Sequence, residues 1–183
     1  MQRILLAIGG GIAAYKSADL CSKLAQANYD VRVVMTRSAV QFVGETTLAA
    51  LSGKPVATGS FDPAFALGAH IELVQDLDAM VIAPATADLL AKLAHGIADD
   101  LVTTAYLQNT SPVVIAPAMS DAMWRKPSVQ RNLTTVIEDG VEVVGPETGW
   151  LSCRVQGTGR MSDPTKLLEV IRRRLTLPDD PIC

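Results

Sequence analysis

Apolar and polar positions along the chain fall into two alternating regimes. Unbroken apolar runs at 3–10 ("RILLAIGG"), 77–85 ("LDAMVIAPA") and 112–118 ("PVVIAPA") read as strands buried on both faces. The segments 30–36 and 141–146 read as two further strands, and 56–61 as a short one. Between them, helical spacing runs over 12–28, 86–96, 99–108, 127–140 and 163–175, with shorter helical pieces in "SAVQFV" and "TTLAALSG". The punctuation agrees: Gly53, Gly96 and Gly140 stand at helix ends, Pro127 near a helix start, and Asp163-Pro164 as N-cap and first helical residue. This alternation predicts one doubly wound, Rossmann-like α/β domain over 1–175 with a mostly parallel sheet, followed by a disordered tail at 176–183. Ligands of such folds bind beyond the carboxyl ends of the strands.

Composition narrows the class of partner. The 183 residues are 49% hydrophobic and 19% charged, with a net charge of −3, which describes a globular chain without a basic footprint for nucleic acid or a membrane surface. Cys21, Cys153 and Cys183 form no CxxC and no metal-ligand spacing, so the expectation is a reducing, cytoplasmic setting with no structural metal. The first apolar run is short and interrupted early by glycine, which argues against a signal peptide or a membrane span.

Chemistry concentrates at the strand ends. Gly9, Gly10 and Gly11 join the first strand to a helix, a turn that either brings backbone N–H groups to a phosphate or is tight topology alone. It is neither GxGxxG nor a P-loop. Thr36 and Ser38 end the second strand, Pro84 and Thr86 follow the run at 77–85, and Pro117 leads into Ala118-Met119-Ser120; the hydroxyls serve as caps or as ligand contacts. Pro84 is expected to turn the chain out of the sheet where a pocket opens. Together these ends suggest a planar ligand that carries phosphate. His95 reads as a solvent-facing residue at a helix end. His70, in a loop bordering the pocket, reads as a structural histidine or as a base near neutral pKa. Cys21 reads as packing, whereas Cys153, in a glycine-punctuated loop, is open between small apolar residue and proton donor or nucleophile.

In chain order, "GGGIAAYK", "MTRSA", "AHIEL", "VIAPATADLLAKLAHGIADDL", "PAMSDAMW" and "GWLSCRVQGTGRM" resemble the flavin-dependent cysteine decarboxylases over residues 3–162. The resemblance implies a flavodoxin-like flavoprotein that holds FMN through Gly10, Gly11 and Ile12, through Thr36, Ser38 and Phe42, through Thr86, Ala87, Asp88 and Leu89, and through Ala118. It implies oxidation of a substrate cysteine to a thioaldehyde, loss of CO2 to an enethiolate, and reduction of that product by the flavin. His70 takes the place of the family's essential histidine, and Cys153 that of the cysteine that protonates the enethiolate. The implied substrate is phosphopantothenoylcysteine, a step of coenzyme A synthesis, with the C-terminal cysteine of a precursor peptide as the alternative. A homotrimer, or a dodecamer built of trimers, with flavin at the subunit interface is also implied.

Three positions depart from the family pattern. Ser120 stands where asparagine is usual and would hold the substrate carboxylate, beside Met123; Arg154 replaces a glycine after the catalytic cysteine and is a candidate anion contact; Asp88 replaces asparagine. No synthetase-like segment follows, so the expectation is a stand-alone decarboxylase or one domain of a longer protein. Two readings from other classes are a regulatory flavoprotein subunit and an apo α/β binding protein.

Overall fold

In the computed structural model, which describes residues 1–176, the apolar runs become the centre of a six-stranded parallel sheet. The elements in chain order are β1 (Arg3–Ile8), α1 (Ala14–Gln26), β2 (Asp30–Met35), α2 (Glu45–Ser52), β3 (Val56–Ala57), α3 (Ala69–Val74), β4 (Ala79–Ala85) and α4 (Ala87–His95). They continue with α5 (Leu101–Gln108), β5 (Val113–Pro117), α6 (Asp121–Trp124), α7 (Pro127–Glu138), β6 (Glu142–Val143), β7 (Glu147–Trp150), β8 (Gln156–Arg160) and α8 (Pro164–Thr176). The strands lie in the order β3-β2-β1-β4-β5-β6, the doubly wound Rossmann-type arrangement, and the order reverses between β1 and β4. The expected tail lies outside the described residues, apart from Thr176 at the end of α8. Among the described residues no helix is long and apolar enough to cross a membrane.

Side-chain alternation along the strands builds two cores. Ile4, Leu6 and Ile8 point to the face covered by α1 and α8 through Leu20, Leu24, Leu167 and Ile171. Leu5, Ala7, Met80 and Ile82 point to the other face, where Leu73, Leu90, Val102 and Val136 of α3, α4, α5 and α7 meet them. Every residue of β4 is buried, which is why it reads as an uninterrupted apolar run.

Local chemistry sets the helix ends. Thr86 caps α4 by accepting from the Leu89 N–H at 3.2 Å, and Gly96 ends that helix in the left-handed region at φ 64°. Asp100 and Thr103 form a reciprocal capping box at the start of α5, with bonds of 2.8 and 3.2 Å. Ala39–Gln41 forms a 3-10 turn where a helical piece was expected.

Three local expectations change. Pro84 does not end β4: the strand runs on to Ala85 through a register shift against β5, and an irregular ladder tolerates a residue without an N–H. His70 lies in a helix, α3, and not in a loop; six residues are too few to display helical periodicity. The segment around Cys153 is the turn of an antiparallel hairpin, β7–β8, separate from the main sheet.

Asp100→Ala removes one half of the capping box and is expected to lower stability by about 1 kcal/mol. Urea unfolding monitored by far-UV circular dichroism measures it.

Candidate active site

The reversal of strand order opens a cleft of about 460 Å³ at the carboxyl ends of β1, β4 and β5. Its floor is the β1–α1 turn, Gly10 to Ala13, with Tyr15 and Lys16 beyond it. One side is Thr86 and Ala87 at the start of α4. The other is Ala118, Met119, Ser120 and Met123 after β5, roofed by Trp150 to Cys153 and by Gly159, Arg160 and Met161 of the hairpin.

Close approach explains two of the three turn glycines. Gly9 donates to the Pro84 carbonyl at 3.1 Å, and a Cβ on Gly9 would stand 2.4 Å from that oxygen. A Cβ on Gly10 would stand 2.2 Å from Ser38 Cβ. Gly11 differs: its nearest neighbour would be Thr86 Cγ2 at 3.7 Å, so its side faces the cleft. None of the three has a positive φ, so space and not a left-handed turn requires them. Ala13, the N-cap of α1, supplies no side-chain cap, and the amides of Gly11 and Ile12 meet no acceptor among the described residues. Open amides in the turn that leads into a thirteen-residue helix, beside a largely apolar cleft, suit an anionic group attached to a planar apolar ligand. The residues present therefore fit a flavin mononucleotide.

The hairpin is held over the cleft by glycine contacts. Met119 N–H donates to the Gly159 carbonyl at 3.0 Å, and a Cβ on Gly159, whose φ is 146°, would stand 2.1 Å from the Met119 oxygen. Gly157 also lies close to Asp121, where a Cβ would meet the Asp121 Cβ at 2.8 Å. The Asp121 carboxylate accepts from Thr158 N–H at 2.9 Å and from Arg125 at 2.6 and 3.1 Å. Arg125, and then the Thr158 amide, hold its pKa below the usual aspartate range. That docking contribution is present above the unfolded-state value and is lost as pH falls through the lowered folded value. Lys16 reaches the hairpin's end and donates to the Met161 carbonyl at 2.6 Å.

The expected site residues divide into two groups. Gly10, Gly11, Ile12, Thr86, Ala87, Ala118, Ser120, Met123 and Cys153 come together in the cleft. Cys153 is exposed there, in the hairpin turn. Ser120 caps α6, accepting from Met123 N–H at 3.4 Å, which leaves its own proton available to a ligand. Met119 and Trp124 pack on the second core, whereas Met123 is 45% exposed.

Seven expected residues do not line the cleft of one chain. Thr36 caps the 3-10 turn, accepting from Ala39 N–H at 3.2 Å, Ser38 packs behind Gly10, and Phe42 is exposed. Leu89 is buried in the second core, because the third residue of α4 faces the sheet. Asp88 turns outward and pairs with Lys92 at 3.2 Å, one helical turn on. Arg154 occupies the left-handed region at φ 65° in the hairpin turn, an uncommon conformation for a residue with a Cβ. His70 is half-buried on α3, its ring beside Gly68. Lys16, Trp150 and Arg160 line the cleft without having been singled out; the signal for Lys16 was a lysine one turn into an otherwise apolar helix start.

A family model described as Flavoprotein matches residues 1–176. The coenzyme A biosynthesis bifunctional protein CoaBC of Vibrio vulnificus (strain YJ016) is 44% identical over 168 residues, which cover 91% of this chain and 42% of that protein. The chain thus spans less than half the length of the curated relatives it matches. Among solved structures, the FMN-dependent cysteine decarboxylase SpaF superposes with a TM-score of 0.85 at 34% identity, covering 97% of this chain and 98% of that one. A cysteine-to-serine mutant of PPC decarboxylase complexed with pantothenoylaminoethenethiol superposes with a TM-score of 0.84 at 31% identity, covering 94% and 97%.

Gly159→Ala forces a Cβ against a backbone carbonyl and is expected to undock the hairpin. Limited proteolysis should then cut within 151–156 while the parallel sheet stays folded; unchanged resistance to protease would show that the contact is dispensable.

Proposed function

This chain belongs to the flavoprotein family, and from that premise we propose that it is an FMN-dependent decarboxylase that converts phosphopantothenoylcysteine to phosphopantetheine. The observation that carries the reading is the presence of Cys153 in the same cleft as the open amides of the β1–α1 turn. The likeness to CoaBC proteins and to a PPC decarboxylase supports this substrate.

Bound FMN supplies a two-electron acceptor for the Cα/Cβ–S unit of the substrate and returns those electrons as hydride at the end. The Gly11 and Ile12 amides hold an anionic group of the cofactor at the start of α1. Ser38 and the Thr36-capped turn support that loop from behind, while Thr86, Ala87 and Ala118 shape the cleft and exclude water from it. The Ser120 hydroxyl donates to the substrate carboxylate, and Met123 covers the substrate from the side. His70 accepts the thiol proton as the substrate is oxidised. The carboxylate then stands β to a C=S group and leaves as CO2. The Cys153 thiol finally gives its proton to the enethiolate carbon, which completes the saturated aminethiol.

His70 lies outside the cleft of its own chain, on α3, near the exposed Phe61, Leu67 and Ile71. We infer a homo-oligomer in which α3 of one copy brings His70 to the cleft of another. An apolar surface of that kind matches an interface between copies. Phe42, Asp88 and Arg154 also face outward, which leaves them available to a neighbouring copy.

Purified protein is expected to be yellow and to release CO2 alone from phosphopantothenoylcysteine. Release of CO2 together with two hydrogens from a C-terminal-cysteine peptide would point to the peptide reading instead, and a protein without flavin absorbance would sink both.

His70→Asn should abolish turnover with FMN retained. Cys153→Ser should accumulate the oxidised enethiol, read by mass spectrometry. When the two variants are co-expressed, interface sites that draw His70 from one copy and Cys153 from the other should recover saturated product. A mixed assembly with no recovered activity would place both groups on one chain.

A further inference from the structure

Arg32 stands in the middle of β2, a strand with neighbours on both sides. Strand alternation turns it to the same face as Val34, the face of the second core. A half-buried guanidinium there needs acceptors. It finds them in the backbone of α3: Arg32 Nη1 donates to the Glu72 carbonyl at 2.6 Å and to the Leu73 carbonyl at 3.4 Å. Asp30 lies within electrostatic reach of it, but that carboxylate pairs with Lys54 and Arg3.

The same helix is gripped at its other end. The Glu72 side chain folds back and accepts from Leu67 N–H, ahead of the helix, at 2.7 Å. Gly68 follows at φ 98°, where a side chain would be strained. The His70 ring rests against it: a Cβ on Gly68 would stand 3.3 Å from Cε1 and 3.5 Å from Nδ1.

These contacts matter because α3 has six residues, too few to hold a helix by internal bonds. The last carbonyls of a helix have no partner within it. Gln75 N–H takes the Ile71 carbonyl at 3.1 Å, and Arg32 takes the next two. Ala69 and Leu73 are buried in the second core and fix which face of α3 points inward. Apolar burial is non-directional, so it does not fix how far the helix slides along its axis; hydrogen bonds at both ends do.

We propose that Arg32, with Glu72, is a positioning residue for His70. Arg32 ties the C-terminal carbonyls of α3 to β2, Glu72 ties the segment before the helix, and together they set the place from which the imidazole works. Neither residue lines the cleft; both act through α3. The inference rests on the decarboxylase reading above for the role of His70.

Acylation of histidine by diethyl pyrocarbonate, read by mass spectrometry on the FMN-loaded protein, tests the placement. The chain has two histidines, and His95, exposed at the end of α4, is the internal reference. Arg32→Met should raise the His70-to-His95 labelling ratio about threefold as α3 loosens. Arg32→Lys, which keeps a cationic donor, should return it toward the native ratio. Glu72→Ala, at a partly exposed position, should raise it too, and keeps the test open if Arg32→Met does not fold. In turnover, Arg32→Met and Glu72→Ala should each lower kcat about tenfold, with KM and FMN content near native. A native labelling ratio in the folded variants overturns the proposal. So does faster labelling of both histidines alike, or a loss confined to KM. If the native protein releases no CO2, the decarboxylase reading falls, while the labelling ratio still decides whether these residues place His70.

Discussion

Gly9 donates its amide to the Pro84 carbonyl across the line where the strand order reverses, and the approach is possible only because residue 9 has no side chain. That contact fixes how closely the ends of β1 and β4 can lie. Gly10 repeats the condition on the other side, against Ser38. With its first two residues gripped by the neighbouring strand ends, the turn presents its third, Gly11, to the cleft. The amides that follow open α1 without a cap, and the ligand-binding end of the sheet is organised around them.

The hairpin is a second layer of organisation. It adds no strand to the main sheet and contributes little to either core, with Leu151 and Met161 its buried ends. Its position comes from backbone fit to the loop after β5, where Gly157 and Gly159 remove the side chains that would hold the two apart. Asp121 serves both partners, bonding Thr158 in the hairpin and Arg125 in its own helix. The cleft therefore has a rigid floor built by the sheet and a roof attached by a few polar contacts. Segments of the second kind open locally at lower free energy than a core does, as a roof must if substrate is to enter.

The strands with buried neighbours were legible in the sequence because burial on both faces leaves an unbroken apolar run, as in β1, β4 and β5. Thr86, Gly53 and Gly96 were legible because caps and left-handed ends demand particular residues. The helix α3 was not, since six residues carry no period. The hairpin was not, since "ETGW" and "QGTGR" lack the alternation of a strand and pair through tertiary docking. Nine of the expected site residues converge because strand ends converge in this topology. His70 does not, because the short helix that carries it lies outside the cleft of its own chain. Lys16 and Arg160 were missed because a cation that lines a cleft looks, in a sequence, like any solvated one.

The order of strands in the sheet has a consequence for the way the protein is made. β1 leaves the ribosome before the other strands of this sheet, yet it belongs at the centre, between β2 and β4. Its pairing with β2 closes a loop of modest length, Ile4 to Val31, and that half can assemble early. Its other edge must wait for Ala79, after β3 and α3 have been synthesised. Through that interval Leu5 and Ala7 have no helix against them, and an unpaired apolar edge is open to other nascent chains. The strand that anchors the finished molecule is thus its most vulnerable segment during translation.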